Sequence, residues 1–328
     1  MKRRNFLRNS ALSTLGALAS IESISGLKHF SGLSPIRIGI CADIHMDTVY
    51  DGKERLKSFI NSMVDASPDF IIQLGDFCGP KEKNRECLEI WNKFSGQKYH
   101  VIGNHDVDGG FSKKEVTSFL EMPDNYYSFD AKGYHFIVLD ANDDFPNRDP
   151  RNKYWAYVGD EQLSWIERDL EKSKAPVIVF THQGLDNDLG GIENSVKVRA
   201  MFDRHNQKTK DHKIRIIFSG HQHQDYYNVI NGIHYIQINS MSYQWLGKKY
   251  AHVPYTEEIN QKYTWTKYTA PYKDPLWALL EISSNGIASI KGMRTNFVGK
   301  TPKELGVAEY PDGYPCVATI TDRKIKIE

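Results

Sequence analysis

The chain has 328 residues, 40% of them hydrophobic and 25% charged, with 42 Lys and Arg against 41 Asp and Glu. This length suits one large domain, and the balance excludes a disordered or collagen-like chain. Near-zero net charge also excludes long-range steering toward nucleic acid or an anionic membrane, so an anionic substrate must be attracted locally.

Taken in chain order, the first element is a leader. Lys2-Arg3-Arg4-Asn5-Phe6-Leu7-Arg8 precedes a short, weakly apolar run from Ala11 to Ala19. Charge, a short apolar run and Ala-x-Ala describe a removable signal peptide over residues 1–19. The paired arginines followed by x-Phe-Leu resemble a bacterial twin-arginine export signal, an address for proteins that cross the membrane already folded. That suits a protein needing metals before export, and predicts a periplasmic or extracellular location. A basic, amphipathic first helix is the other reading of these residues. The run is far shorter than the roughly 20 apolar residues of a membrane span, so no stable membrane anchor is expected.

After a Ser/Gly-rich connector over residues 20–34, short apolar runs alternate with amphipathic stretches, the signature of an α/β architecture. Strands are predicted at 36–42, 70–74, 99–102, 134–140, 177–181, 214–219 and 233–239. Helices are predicted at 52–65, 82–94, 113–120, 159–170 and 192–205, where apolar residues recur at helical spacing. The pattern breaks over residues 241–273 into an insertion bearing Tyr243, Trp245, Tyr250, Tyr255, Tyr263, Trp265, Tyr268 and Tyr272. Two roles fit it: a lid or stacking platform over the site, in which His252 would share, or a loop that covers a sheet edge with aromatic packing. Strand-like runs resume at 276–282 and 288–292. A C-terminal extension over 295–328 follows the main domain of 35–294, with a hairpin predicted at 316–327.

The four cysteines, Cys41, Cys78, Cys87 and Cys316, form no C-x-x-C pair and read as buried thiols, with Cys78 and Cys87 the nearest candidates for a bridge.

The residues with chemistry fall at the carboxyl ends of the predicted strands, where open α/β sheets place their ligands. Asp43-Ile44-His45 ends the first, and a spacing of two on an extended chain turns the carboxylate and the imidazole to one side. Gly75-Asp76 ends the second, where the glycine permits an unusual turn and the Asp offers two oxygens. Gly103-Asn104-His105-Asp106 ends the third, His182 follows the run that ends at Thr181, and Gly220-His221-Gln222-His223 ends the last of the set.

Jointly, D-x-H, G-D, G-N-H-D, H and G-H-x-H in this order, each after a strand, resemble the calcineurin-like metallophosphoesterases over residues 43–223. The resemblance implies a four-layer αββα sandwich of two mixed sheets, with a dimetal site at the strand ends and the segment after about Leu276 completing the second sheet. It implies that Asp43, His45 and His223 hold one metal, that Asn104, His182 and His221 hold the other, and that Asp76 bridges them. Mixed nitrogen and oxygen donors suit Mn, Fe or Zn better than all-oxygen cations such as Mg or Ca. A metal-bridging hydroxide would attack phosphorus in line with the leaving group. His105 is then the proton donor or transition-state stabiliser, and Asp106 either orients it or caps the next segment. The purple acid phosphatase branch has a metal-bound Tyr three residues after the bridging Asp; Gly79 stands there, so that branch is not expected. Cys78 is a buried thiol or a soft ligand. The expected activity is hydrolysis of phosphodiester or pyrophosphate bonds in a small phosphorylated substrate, with phosphomonoester hydrolysis as the alternative and a non-catalytic metal-binding module as a third reading.

Overall fold

The computed structural model describes residues 33–146, 149, 154–210, 213–307 and 309–327. The signal peptide and almost all of the connector, with His29 and His212, lie outside the described residues.

The first half of the chain builds one sheet. Strands β1 (Ile36–Cys41), β2 (Phe70–Gln73) and β3 (Gln97–His100) run parallel, joined through helices α1 (Gly52–Ala66) and α2 (Arg85–Trp91). Helix α1 forms because Arg55, Leu56, Phe59, Ile60 and Met63 recur at three- and four-residue spacing and bury one face. The long helix predicted at 82–94 divides into a 3-10 turn and α2.

After α3 (Lys113–Phe119), the second sheet takes β4 (Tyr127–Ala131), β5 (Tyr134–Val138), β6 (Val177–Phe180), β7 (Ile214–Ser219), β8 (Tyr227–Ile230) and β9 (Ile233–Gln237) in the order β4-β5-β6-β7-β9-β8. Helices α4 (Asp160–Lys172) and α5 (Ser195–Lys208) cover its outer face. The antiparallel edge strands β4 and β8 are absent from the sequence reading. Each forms a hairpin through two consecutive left-handed residues, Lys132-Gly133 and Asn231-Gly232, the turn chemistry that matches strand twist.

Two alternating sets of side chains make the layers. Ile36, Ile38, Ile40, Phe70 and Ile72 of the first sheet meet Tyr134, Phe136, Val138, Ile178, Phe180, Ile216 and Phe218 of the second in one central core. Ile71 points outward to the α1 and α2 side, and Ile137, Val177, Val179 and Ile217 to α4 and α5. The expected αββα sandwich is the observed fold.

Three features correct the sequence reading. Residues 241–273 are not irregular: β10 (Tyr243–Trp245) and β11 (Thr269–Pro271) pair as an antiparallel ribbon that carries helix α6 (Glu257–Lys262). The C-terminal strands β12 (Ala278–Ile282), β13 (Ile287–Lys291) and β14 (Arg323–Lys326) complete the sheet of β1, in the order β14-β13-β12-β1-β2-β3, rather than the later sheet. No hairpin forms within 316–327, because β14 pairs with β13 instead. All four cysteines are free and buried. Among the described residues no helix is long and apolar enough to cross a membrane.

Candidate active site

The carboxyl ends of β1, β2, β3, β6 and β7 meet at one place, and the backbone there is unusual. Asp43, His45, Asp76, His221 and His223 all have positive φ, between 51° and 76°. They are five of the nine non-glycine residues with that conformation among those described. Such backbone costs about 1 kcal/mol or more per residue and persists where the surroundings over-determine it. Here the chain beyond β1 stays bonded to the chain beyond β2 through Asp43 N–H to Gly75 O (3.1 Å) and His45 N–H to Asp76 O (2.9 Å). Asp43 and His45 therefore share a side through left-handed turns, and not by extended alternation as their spacing suggested; β1 has already ended at Cys41.

Close packing sets the carboxylates. A Cβ on Gly103 would lie 2.1 Å from Asp76 Oδ1, and one on Gly75, itself at φ 97°, would lie 2.3 Å from His182 Nδ1. Asp76 is thus seated against bare backbone. Its Oδ1 accepts the His105 N–H at 2.8 Å. Asp43 accepts the His221 N–H at 2.9 Å on Oδ2.

The imidazoles converge on these oxygens. His182 Nδ1 donates to Leu74 O at 2.7 Å and His223 Nδ1 to Tyr243 O at 2.9 Å. Since a carbonyl only accepts, each Nδ1 carries a proton, and in the neutral ring each Nε2 presents a lone pair inward. His223 Nε2 lies 3.1 Å from His45 Nε2 and 3.3 Å from Asp43 Oδ1. His182 Nε2 lies 3.2 Å from Asp76 Oδ2 and 3.2 Å from Asn104 Oδ1. Acceptors this close, in a buried site, require a shared cation or an added proton.

Two groups of three result: Asp43, His45 and His223, and Asp76, His182 and His221, with the ligand atoms of each group within 4.8 Å of one another. Asp76 Oδ2 also reaches His45 Nε2, at 3.7 Å, so it stands between the groups. The donor set fits two transition-metal ions.

The electrostatics agree with that fit. Burial is the largest influence on each group. For Asp43 and Asp76 it would raise the pKa, yet His223 and His182 for Asp43, and His182 and His105 for Asp76, outweigh it and hold both carboxylates below the usual range. Burial pushes His45 and His221 down to about 3, keeping them neutral as a ligand must be. For His182 burial is outweighed by Asp76 and Asp43, which push it up to about 9.

His105 belongs to neither group. Its ring lies edge-on to His45 at 5.2 Å. Its Nδ1 meets Asp108 Oδ2 at 2.6 Å, so Asp106 is not its orienting partner. Asp106 is buried and turned inward, its Oδ2 accepting from Gly103 N–H (2.8 Å) and Asp76 N–H (3.0 Å). The carboxylate braces the two loops that carry Asn104 and Asp76. Cys78 joins neither group, and the neighbouring Cys87 and burial push its thiol well above the usual range. His252 also stays apart, with Nδ1 on Tyr250 O at 3.1 Å.

Three contributors escaped the sequence reading. Tyr243 stacks on His45 at 5.1 Å while its carbonyl holds His223. Gln183 donates to Asn104 Oδ1 at 3.3 Å. Gln244 ties His223 O at 2.6 Å to the C-terminal Tyr310. Only the aromatic density of 241–273 hinted at the first; the others carry no local signal.

Known proteins share this arrangement of strands. The family model described as calcineurin-like phosphoesterase matches residues 36–225, from β1 past every candidate ligand. A manganese-dependent ADP-ribose/CDP-alcohol diphosphatase of Arabidopsis thaliana is 25% identical over 263 residues, 60% of this chain and 83% of that protein. A 3′,5′-cyclic-nucleotide phosphodiesterase of Nostoc is 23% identical over 261 residues, 74% of this chain and 90% of that one. A dimetal phosphatase of Danio rerio superposes with a TM-score of 0.60 at 14% identity, over 89% of this chain and 99% of the other, which shows a common fold.

Proposed function

The chain belongs to the calcineurin-like phosphoesterase family and is a metal-dependent phosphoric ester hydrolase, and from that premise we propose that it cleaves phosphodiester or diphosphate bonds in a small phosphorylated substrate. The observation that carries the reading is the convergence of His45, His182 and His223 Nε2 on the Asp43 and Asp76 carboxylates, at separations of 3.2 to 4.0 Å. In this reading Asp43, His45 and His223 hold one cation and Asn104, His182 and His221 the other. Asp76 would serve both, because its Oδ2 faces His45 Nε2 and His182 Nε2.

When bound, the cations supply Lewis-acid polarisation of the phosphoryl group and lower the pKa of an attacking water. The chain's own residues do the rest. Leu74 and Tyr243 carbonyls fix the imidazole tautomers, and Asp106 holds the loops at constant separation. His105, outside both groups, is placed to give a proton to the departing oxygen.

The names of the two relatives, a diphosphatase and a phosphodiesterase, support the bond type, and the manganese named in one supports Mn²⁺; the donor set also suits Fe or Zn. The twin-arginine-type leader supports export to the periplasm or beyond, which fractionation of cells expressing the full chain would check. The function is tested with ADP-ribose, bis-p-nitrophenyl phosphate and p-nitrophenyl phosphate, each with Mn²⁺ and with chelator. Chelator-sensitive turnover of either of the first two, above the third, is expected. Preference for the monoester would turn the reading to a phosphatase, and no turnover of any would sink it.

A further inference from the structure

His105 follows Asn104 on the turns beyond β3, and its side chain is 40% exposed. The partner of its Nδ1 comes from three residues on. Asp108 N–H donates to His105 O at 3.3 Å, a turn that folds the two side chains over one another and leaves Asp108 Oδ2 2.6 Å from Nδ1. Tyr154 approaches from a separate loop. Its ring lies 5.0 Å from the His105 ring and its hydroxyl donates to Asp108 Oδ2 at 3.4 Å. The imidazole is therefore held by a carboxylate at one nitrogen and an aromatic face beside it, while its backbone N–H is spent on the bridging Asp76.

We propose that Asp108, with Tyr154 behind it, is the positioning residue for His105: it holds Nδ1–H so that Nε2–H points to the oxygen leaving phosphorus. The inference rests on the hydrolase reading above. In the step, the attacking water oxygen forms a bond to phosphorus and its proton passes to solvent. The bond from phosphorus to the leaving oxygen breaks, and that oxygen's electron pair takes the proton from Nε2. The ring is left neutral, its Nδ1–H still donated to the Asp108 carboxylate, and solvent restores the Nε2 proton. Asp106, the next residue in sequence, is buried, with Oδ2 on two backbone N–H groups and Oδ1 on no partner among the described residues, and does not reach His105 Nδ1, which Asp108 holds.

A half-exposed ion pair contributes little to stability, so a merely structural Asp108 would be replaceable without consequence. The test uses metal-loaded full-length protein and aryl methyl phosphates whose leaving phenols run from p-nitro to p-methoxy. A p-nitrophenolate departs without a proton, whereas a p-methoxyphenolate needs one. In Asp108→Asn and Asp108→Ala, kcat for the p-nitro ester is expected to fall no more than about threefold and that for the p-methoxy ester by about 10- to 100-fold. KM, metal content and melting temperature should stay at wild-type values, and Asp108→Glu should recover part of the loss. The His105→Ala/Asp108→Ala double variant should be no slower than His105→Ala. By ¹⁵N-edited NMR the His105 Nδ1 proton should be visible in the wild type and lost to water exchange in Asp108→Ala. Equal losses across the ester series, no loss at all, or additive losses in the double variant would overturn the positioning role. Those results leave the hydrolase reading standing, whereas a wild type inactive on every ester overturns both.

Discussion

Arg55 is the residue whose removal most directly tests how the fold holds its insertion. It sits on the inner face of α1, 3% exposed. Its Nε donates to Asp51 Oδ1 at 2.8 Å, Nη2 to Tyr272 O at 2.5 Å and Nη1 to Met241 O at 3.3 Å. Those two carbonyls stand at the two ends of the aromatic insertion, so one guanidinium staples its base. Arg55→Met keeps the aliphatic volume and removes the fork. Tyr272 O is then left without its donor, Met241 O keeps only the Leu276 N–H at 3.1 Å, and Asp51, 20% exposed, loses its counter-charge. Breaking a buried pair costs roughly 3–5 kcal/mol. Because Asp51 keeps some water, we take the low end, about 3 kcal/mol. At roughly 2–4 °C per kcal/mol for a domain of this class, the melting temperature should fall by about 6–12 °C. Urea unfolding measures the loss, and limited proteolysis locates it: cuts should quicken within 246–268. Arg55→Lys should recover only part, since an ammonium lacks the planar fork. A wild-type urea midpoint with unchanged proteolysis in Arg55→Met would refute the staple.

Gly103→Ala places a methyl 2.1 Å from Asp76 Oδ1 and 2.3 Å from Asp76 N; the backbone cannot step aside, so a loss of about 1–3 kcal/mol and a drop in bound metal by elemental analysis are expected, and full metal content would contradict the packing. Stripping metal with chelator should lower the melting temperature, and restoring Mn²⁺ at 100 times Kd should return about 2.7 kcal/mol per site; a midpoint indifferent to both would mean that no ion is held. For His135, burial lowers the pKa, but Asp169 and Asp130, 2.8 and 2.7 Å away, raise it overall. A raised folded pKa contributes stability that is complete below the unfolded value near 6.5 and is lost as pH climbs through the folded value. Urea midpoints from pH 6 upward should therefore fall more steeply in the wild type than in His135→Gln; parallel slopes would remove His135 from the account.

The sequence by itself determined the α/β alternation and the identity of the donors. Helical and strand periods are local properties, and Asp43, His45, Asp76, Asn104, His182, His221 and His223 each stand where a strand stops. Edge strands β4 and β8 were less legible, because exposed two-residue turns mark them and no long apolar run does. Tertiary structure alone decided which groups face one another. The left-handed backbone at Asp43 and His45 depends on the paired chain beyond β2, and the tautomer of His182 on a carbonyl 108 residues away. The choice of Asp108 over Asp106 follows from where Gly103 and Asp76 already place their N–H groups. Likewise Tyr243 meets His45 because Met241 N–H and Ser242 Oγ bond Ala42 O and Ile44 O just beyond β1, and β14 reaches β13 across a long segment held by isolated bridges. Ligand chemistry is written in residue types, but the orientation of each ligand is enforced by partners far along the chain.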